Sequence, residues 1–460
     1  MPRPGAIGIY TDFRYKSGMH RYEHPVPKVE KRLKERYRQL VSEHLNHKTD
    51  VAPGAKALPS ASASAFAATQ AAWRFYANDE TSLPTLSKPL QQAARTALTH
   101  SHSSYALVVH DLSHLDYRAH ARKKDRKLLS NKHELGYGLQ AALLVEAVCG
   151  DPVAPLYQSL TAADGQHTTG TLAVLPEQSM TDAVTSAMQQ VEAFSLGKRL
   201  VHVSDREGDS VWHYRHWDDQ HLSFLVRADN ERLVRHQGVE RALPAVARRL
   251  RPQMQLTREV EFKGQLAYQY LAETQICLER PACLHRVVDG QRKRQKIPGR
   301  PLELRLVVSE IRDAAGTVLA QWLLLTNVWD VPASTIALWY YWRWRIESYF
   351  KLLKSAGHEV EHWQQTTAEA VAKRLLIAGM ACVLVWHLAR DQSAQAAEFR
   401  ALLVRLSGRQ MKYGCAFTEP ALLAGLGILL PMLHLLEYYD LDELKELAAA
   451  CLPGIYPLRR

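Results

Sequence analysis

Residues 339–354, WYYWRWRIESYFKLLK, constrain the fold of this chain more than any other segment. On a helix with about 3.6 residues per turn, the polar residues of this segment fall on one narrow stripe. The stripe consists of Tyr340, Arg343, Glu347, Lys351 and Lys354. The remaining circumference is mostly apolar, and only Arg345 and Ser348 interrupt it. The pattern predicts a helix that is buried in a core with one polar edge left open.

The polar stripe has two interpretations. Glu347 and Lys351 could form an ordinary ion pair on a solvated helix face, worth about 0.2–0.5 kcal/mol. The aromatic residues beside the stripe favour a functional site instead. A carboxylate flanked by cations suits a metal ion and a phosphate chain, since Arg and Lys donate to phosphate while a carboxylate holds a hard cation. This second interpretation requires further carboxylates from elsewhere in the chain.

Length and charge narrow the class of protein. The chain has 460 residues, of which 47% are hydrophobic, and this predicts two or three domains with a sizeable core. The formal net charge of +11 favours a polyanionic partner, although excess charge also serves solubility. Nucleic acid is the leading candidate for that partner.

The six cysteines show no CxxC pair and no histidine at zinc-finger spacing, so we expect reduced, mostly buried thiols, as in a cytosol. They are Cys149, Cys277, Cys283, Cys382, Cys415 and Cys451. The N-terminal residues lack the apolar segment of a signal peptide. The longest apolar runs, residues 375–389 and 422–436, are too short to span a bilayer. We expect a soluble cytoplasmic protein that does not enter a membrane.

The N-terminal part of the chain predicts an arm followed by a helical module. Residues 1–28 are rich in Pro, Gly and Tyr, and apolar residues then recur at helical spacing among basic ones. This basic helix is either a solvated face or a DNA contact. Further helices are expected at residues 65–76 and 88–98, beyond a linker at 50–64. Residues 29–103 are therefore predicted to form a small helical module, which is a DNA-binding domain if the basic helix contacts DNA.

Two acidic residues follow short apolar runs of strand type. Residues 105–110 predict a buried strand that stops at Asp111, and residues 200–203 predict another that ends at Asp205. Asp111 alone could be a cap or turn residue, and Asp205 could simply pair with Arg206. Together with Glu347, two strand-end carboxylates can converge on a pair of divalent cations at a phosphodiester. Mg²⁺ fits best, because these candidate ligands are all oxygen atoms.

Residues 228 to about 330 predict an antiparallel β insertion, because apolar residues alternate there with period two. The densest basic run of the chain, Arg292 to Lys296, is expected in a loop between Gly290 and Pro298. Trp322 is expected to begin the last strand of the insertion. After Gln365 the pattern predicts helices to the end of the chain.

Several of these motifs resemble one known family. The sequence DREGD at residues 205–209 and the spacing Y-x2-R-x3-E-x6-K that starts at Tyr340 resemble the signature of the DDE transposases of the insertion-sequence-four family. DLSHLDY at residues 111–117 is similar to the first catalytic segment of that family, and AWRF at 72–75 to its N-terminal module. The resemblance covers residues 29 to about 390. Residues 1–28 have no counterpart, and the tail beyond about 400 is similar only in being helical.

The resemblance implies an α/β fold in which a ribonuclease-H-like catalytic domain (residues 104–227 and 331–369) is interrupted by the β insertion at 228–330. A helical region at 370–460 would follow and contribute to a homodimer, or pack within one chain. Asp111, Asp205 and Glu347 would bind two Mg²⁺ ions, with Mn²⁺ as a substitute. The resemblance also implies DNA contacts from Arg227, Trp322, Tyr340, Arg343, Lys351 and Lys354.

The implied activity is cut-and-paste transposition in the bacterial cytoplasm, at the nucleoid when the protein is bound to DNA. The partners would be the double-stranded terminal repeats of a transposon and the target DNA. Trp322 would receive a flipped base, or would be a core residue at the start of a strand. Two other functions stay open: a catalytically inactive DNA-binding regulator, and a structure-specific nuclease of the same fold.

Overall fold

The computed structural model describes residues 24–46, 62–129, 133–172, 179–288 and 291–451. These residues form a mixed α/β protein with one large mixed sheet, a separate two-stranded hairpin and a set of helices. Residues 1–23 of the predicted arm and 50–61 of the predicted linker lie outside the described residues. In the described part, no helix combines the length and the apolar character needed to cross a membrane.

The helices lie mainly at the two ends of the chain. They are α1 (Lys31–Asn46), α2 (Ser62–Tyr76), α3 (Leu83–Thr99), α4 (Met180–Glu192), α5 (Val211–Asp219), α6 (Leu243–Leu250), α7 (Ala333–Tyr341), α8 (Trp344–Leu353), α9 (Ala368–Arg390), α10 (Ala394–Ser407), α11 (Glu419–Leu435) and α12 (Leu441–Cys451). The helices predicted in the N-terminal module and after Gln365 are therefore confirmed.

The strands fall between these two sets of helices. They are β1 (Tyr105–Asp116), β2 (Lys127–Leu128), β3 (Leu135–Glu146), β4 (Pro152–Ala162), β5 (Gly165–Thr168), β6 (Arg199–Ser204), β7 (Ser223–Arg227), β8 (Leu233–His236), β9 (Val239–Ala242), β10 (Gln255–Phe262), β11 (Gln265–Leu278), β12 (Ala282–Val288), β13 (Gln291–Ile297), β14 (Leu302–Arg312) and β15 (Val318–Thr326).

The large sheet has the strand order β5-β4-β3-β1-β6-β7-β15-β14-β11-β8-β9, with β2 beside β3 and β10 beside β11. Strands β1, β6 and β7 are parallel neighbours, and the remaining pairs are antiparallel. The central strands are buried along most of their length, which explains their almost continuous apolar sequences. The strands of the predicted insertion are antiparallel to one another as expected. They extend the same sheet through the pairing of β15 with β7.

The chain divides into two compact units. The sheet unit comprises residues 91–116 and 126–350, and the helical unit comprises the described residues up to 90, 117–125 and from 351 onward. The boundary falls inside α8, after Phe350.

In the sheet unit, one side of the sheet is covered by a core in which α4 and α5 contribute Val184, Met188 and Trp217. These side chains pack with inward-facing residues of β7, β14 and β15, such as Phe224, Leu306 and Leu325. The apolar positions that recur along α4 and α5 therefore bury one face of each helix.

In the helical unit, α9 is the central element. It is buried from Ala368 to Trp386 on almost every side, so its apolar sequence shows little preference for one face. Thr367 caps its N-terminus by accepting a hydrogen bond from the N–H of Ala370. Residues of α1 and α11 pack against it.

Three predicted boundaries are wrong. β1 does not stop at Asp111 but continues to Asp116, because β3 pairs with it over its whole length and satisfies the backbone around its polar residues. Arg292 to Lys296 lie in β13, which pairs with β12, rather than in a loop. Trp322 lies inside β15, which begins at Val318.

The six cysteines, all within the described residues, are thiols, as predicted, but they are not mostly buried. Cys382 on α9 is buried, whereas Cys149, Cys283 and Cys451 are exposed. These three occupy a turn, the β12 hairpin strand and the last residue of α12, where the backbone itself runs along the surface.

Candidate active site

The segment predicted as one striped helix is broken in two. Helix α7 ends at Tyr341 and α8 begins at Trp344, with Trp342 and Arg343 between them. The N–H of Arg343 donates to the carbonyl of Tyr340 at 3.0 Å, and that of Arg345 donates to the carbonyl of Trp342 at 2.9 Å. These are three-residue turns instead of the four-residue spacing of an α-helix, so the prediction of a single helix is wrong.

Gly150, which is remote in sequence, contacts this break. A Cβ atom at Gly150 would lie 2.3 Å from ring atoms of Trp342, so the indole packs directly on the glycine backbone. The Nε of Arg345 donates to the carbonyl oxygen of Gly150 at 2.7 Å. These contacts favour the break over a continuous helix, and helical periodicity gives no sign of them.

The polar edge is also less open than predicted. Tyr340 is only 4% exposed and Arg343 only 7%. Conversely, Trp344 is 52% exposed and Tyr341 45%, although both were assigned to the apolar cover. The helix break rotates α8 relative to the stripe expected for one helix, so that Arg343 turns inward.

The register of the parallel strands brings Asp111 and Asp205 to the same level. Val109 in β1 pairs with Val203 in β6, and each aspartate lies two residues further along its chain. Adjacent strands are about 4.8 Å apart, so the two residues are neighbours across the sheet. Asp205 follows β6 directly, as predicted, and its carboxylate accepts from the N–H of Glu207 at 2.9 Å.

Arg343 joins the first aspartate to the glutamate. Its Nη1 donates to Oδ2 of Asp111 at 3.0 Å, and its Nη2 donates to Oε1 of Glu347 at 2.6 Å. The other carboxylate oxygen of Asp111 accepts from the N–H of Leu112 at 2.8 Å. Both oxygens of Asp111 are therefore engaged within the protein.

The electrostatics of Asp111 reflect all three carboxylates. The pKa of Asp111 is raised to about 6, chiefly by burial; the charges of Asp205 and Glu347 also raise it, whereas Arg343 and the Leu112 N–H lower it. The charges of both Asp205 and Glu347 therefore act on Asp111. The register of β1 and β6 relates Asp111 to Asp205, and the ion pairs of Arg343 relate Asp111 to Glu347.

Three further predicted residues lie beside these carboxylates. The ring centroids of Trp322 and Tyr340 are 6.4 Å apart and tilted by 53°. Burial raises the pKa of Tyr340, which also interacts with Arg343, Arg227 and Asp205. Arg227 is the last residue of β7 and pairs with Leu324 of β15. Tyr340 therefore connects Trp322 and Arg227 to the acidic cluster.

The two lysines of the predicted stripe belong to the helical unit. Lys351 is exposed in the last turn of α8, and the Nζ of Lys354 lies 3.5 Å from Oε1 of Glu361. Lys351 and Lys354 therefore belong to a different unit from the three carboxylates.

The oxygen-only chemistry of the three carboxylates suits Mg²⁺ or Mn²⁺. The position of Arg343 works against such ions, because its guanidinium pairs with both Asp111 and Glu347 and its positive charge competes with a shared cation. Within the described residues, no three His, Cys, Asp or Glu side chains are placed to hold a metal ion. The residue types fit the ions, but the positions of their side chains in this structure do not.

Gly150 and Trp342 position the site, and sequence reasoning missed this role for both. No local signal could have identified them, because their contact depends on which turn of the sheet unit meets the helix break. Arg343 was selected from the sequence, but as a DNA contact only.

No protein-family model matches the sequence, and no curated protein matches it. The proposed function therefore depends on the residues and geometry described above.

Proposed function

We propose that this protein is a DNA-cleaving and DNA-joining enzyme, a cut-and-paste transposase of the DDE type. The observation that carries the proposal is the convergence of Asp111, Asp205 and Glu347, which come from a strand, a strand end and a helix. The charges of Asp205 and Glu347 act unfavourably on the Asp111 carboxylate, and proteins tolerate such repulsion mainly where the group binds a cation or performs chemistry. A hydrolase that acts on a neutral substrate would not need three carboxylates near Arg227 and Arg343, nor a net positive charge on the whole chain.

The architecture around the acidic cluster supports a ribonuclease-H-like core. Three adjacent parallel strands, β1, β6 and β7, are flanked by the antiparallel strands β3 and β4. The carboxylates lie on β1, just past β6 and on a helix that follows the inserted strands. In this proposal the antiparallel strands β8–β15 are an insertion into that core.

The charged and aromatic residues around the site support a DNA substrate. Arg227, Arg343 and Tyr340 would contact phosphates near the cleaved bond, since guanidinium groups bind phosphate in a bidentate manner. In the helical unit, Lys351 and Lys354 would also contact DNA phosphates. The partly buried Trp322 would stack on an unpaired base beside the cut.

Asp111, Asp205 and Glu347 would hold Mg²⁺, or Mn²⁺ in its place, once Arg343 no longer pairs with Asp111 and Glu347, and such ions would supply Lewis-acid stabilisation of charge at the phosphodiester. The transposon ends and the target would be double-stranded DNA. Two subunits would act together on a pair of ends.

A strand-transfer assay tests this proposal. Purified full-length protein is incubated with Mg²⁺, DNA carrying the terminal sequences that flank its gene, and a supercoiled plasmid. Joining of cleaved ends to the plasmid supports a transposase. Cleavage without joining identifies a nuclease, and binding without cleavage identifies a DNA-binding regulator; either result contradicts the proposal.

Asp205→Asn is the informative variant in this assay. It removes one charge from the acidic cluster and keeps the side-chain volume, so it should abolish joining. Asp313→Asn is the matched control, because Asp313 caps a tight turn of the same unit between β14 and β15.

A further inference from the structure

We propose that Arg343 is an internal counter-ion that closes the cation site of the DNA-free protein, and that a DNA phosphate opens the site by drawing Arg343 away. This inference rests on the proposed function and adds an order to it: DNA engages Arg343 before the divalent ions are held. Arg343 would then alternate between two anionic partners, the carboxylates and a phosphate.

The geometry of the closed state is specific. One guanidinium spans two carboxylates, with its Nη1 3.0 Å from Asp111 Oδ2 and its Nη2 2.6 Å from Glu347 Oε1. A divalent ion bound between Asp111 and Glu347 would lie beside this guanidinium, and the two positive charges would repel one another. A cation and Arg343 therefore compete for these carboxylates, and the second oxygen of Asp111 also accepts from the N–H of Leu112.

The hydrogen bonding of Arg343 is incomplete in the closed state. The Nε of Arg343 is buried and has no hydrogen-bond partner among the described residues. The closed arrangement therefore leaves one donor of Arg343 unsatisfied, which disfavours it relative to a state in which this donor is hydrogen-bonded.

Arg343 also has a route towards solvent. Its guanidinium carbon lies 5.1 Å from the ring centroid of Trp344, and that indole is half exposed. The residue sits in the break between α7 and α8, where its backbone is outside both helices. A change of side-chain rotamer could therefore carry the guanidinium outward without unwinding a helix.

Such an exchange has a thermodynamic consequence. Because Arg343 competes with the cation in the free protein, its removal should raise the affinity for a divalent ion. DNA that engages Arg343 should likewise raise the affinity for the divalent ion. By thermodynamic linkage, a bound divalent ion should raise the affinity for DNA by the same factor.

The test measures binding of Mn²⁺ alone to the DNA-free, full-length protein by electron paramagnetic resonance. Arg343→Gln should bind Mn²⁺ about tenfold more tightly than the unmodified protein, within the usual range of coupling between sites. Arg343→Lys keeps the charge but cannot span both carboxylates, so it should give a smaller gain. Arg280→Gln, which removes a guanidinium paired with Glu240 on the surface of the same unit, should leave Mn²⁺ affinity unchanged.

Equal or weaker Mn²⁺ binding by both Arg343 variants, or no binding by any of the proteins, overturns the counter-ion role. Thermal unfolding of each variant shows whether it is folded. If Arg343→Gln does not fold, the Mn²⁺ affinity of Arg343→Lys provides the test. A strand-transfer assay on the unmodified protein separates the two proposals. If the unmodified protein joins DNA but the Arg343 variants show no gain in Mn²⁺ affinity, the proposed transposase function stands and the counter-ion role fails. If the variants gain Mn²⁺ affinity but the unmodified protein neither cleaves nor joins DNA, the counter-ion pairing stands and the transposase function fails.

Discussion

The guanidinium of Arg343 lies 3.0 Å from the carboxylate of Asp111, although the two residues are 232 positions apart in the chain. The same guanidinium also contacts Glu347, only four residues away. The sequence pattern predicted a row of DNA contacts along one helix. In the folded protein, Arg343 of that row instead links Glu347 on α8 to Asp111 on β1. This link connects the acidic cluster to the group expected to bind phosphate.

Replacing Glu347 by Gln should abolish DNA cleavage while largely preserving DNA binding. The substitution removes one carboxylate from the cluster but keeps the side-chain volume and a hydrogen-bond acceptor for Arg343. Cleavage of end-containing DNA in Mg²⁺ and a gel-shift assay measure the two effects. Glu259→Gln, an exposed position on β10, is the control. Normal cleavage by Glu347→Gln would reject Glu347 as a site residue.

Substitution of Lys351 or Lys354 by Ala should weaken DNA binding and make it less sensitive to salt. Each phosphate contact contributes about one counter-ion to the salt dependence, so the slope of log affinity against log salt should fall by about 1 per lysine. Fluorescence anisotropy at several KCl concentrations measures this slope. Lys445→Ala on α12 is the matched control, and a slope equal to that of the control would argue against a phosphate contact.

Replacing Gly150 by Ala should destabilise the protein by about 2–4 kcal/mol, because the new Cβ would overlap the Trp342 ring in addition to straining the backbone. Gly197→Ala isolates the backbone contribution, since both glycines have a φ of 74° but Gly197 has no neighbouring atom within 4 Å of an added Cβ. The control should lose only about 1–2 kcal/mol.

Urea denaturation of the two glycine variants measures this difference. Equal losses would show that Trp342 adjusts freely and does not fix the break between α7 and α8. If the break holds Arg343 in place, Gly150→Ala should also lower DNA cleavage at temperatures at which the variant is still folded.

The stability of the helical unit should depend on the protonation of Glu43 in α1. Burial raises the pKa of Glu43 from an ordinary value of 4.5 to about 7, against the opposing influence of Arg36, Gln39 and Arg374. Between these two pH values the folded protein holds a proton that the unfolded chain has lost. The free energy of unfolding therefore falls as the pH rises from about 4.5 to 7, by roughly 2–3 kcal/mol.

Replacing Glu43 by Gln mimics the protonated carboxyl and should remove this loss. The variant should exceed the unmodified protein in stability at pH 8 and nearly equal it at pH 5, as measured by urea denaturation at each pH. Glu35→Gln, an exposed position on the same helix, should show no such difference. A Glu43→Gln variant less stable than the unmodified protein at pH 8 would show that the carboxylate is ionised and well paired.

Several parts of the fold followed from local sequence patterns. The buried strands around Val108 and Val201 are apolar runs of the right length. A strand that is buried on both faces needs apolar residues at nearly every position, so such a run predicts it. The amphipathic and apolar helices at the two ends of the chain were equally evident. Of the candidate site, the sequence singled out Asp111 and Asp205 because each follows a run of apolar residues. It singled out Glu347, Tyr340 and Arg343 because they share one stripe at helical spacing.

The sequence by itself determined the buried central strands, the terminal helices and the polar side chains that are candidates for chemistry, since these depend on local periodicity and residue type. Only the tertiary structure decided that β1 continues past Asp111, that the striped segment breaks at Trp342 and that Arg343 pairs with Asp111. Each of these outcomes depends on a partner far away in the chain, namely β3, Gly150 or β1. Local propensities differ by about 1 kcal/mol or less per residue, so packing against such partners overrides them.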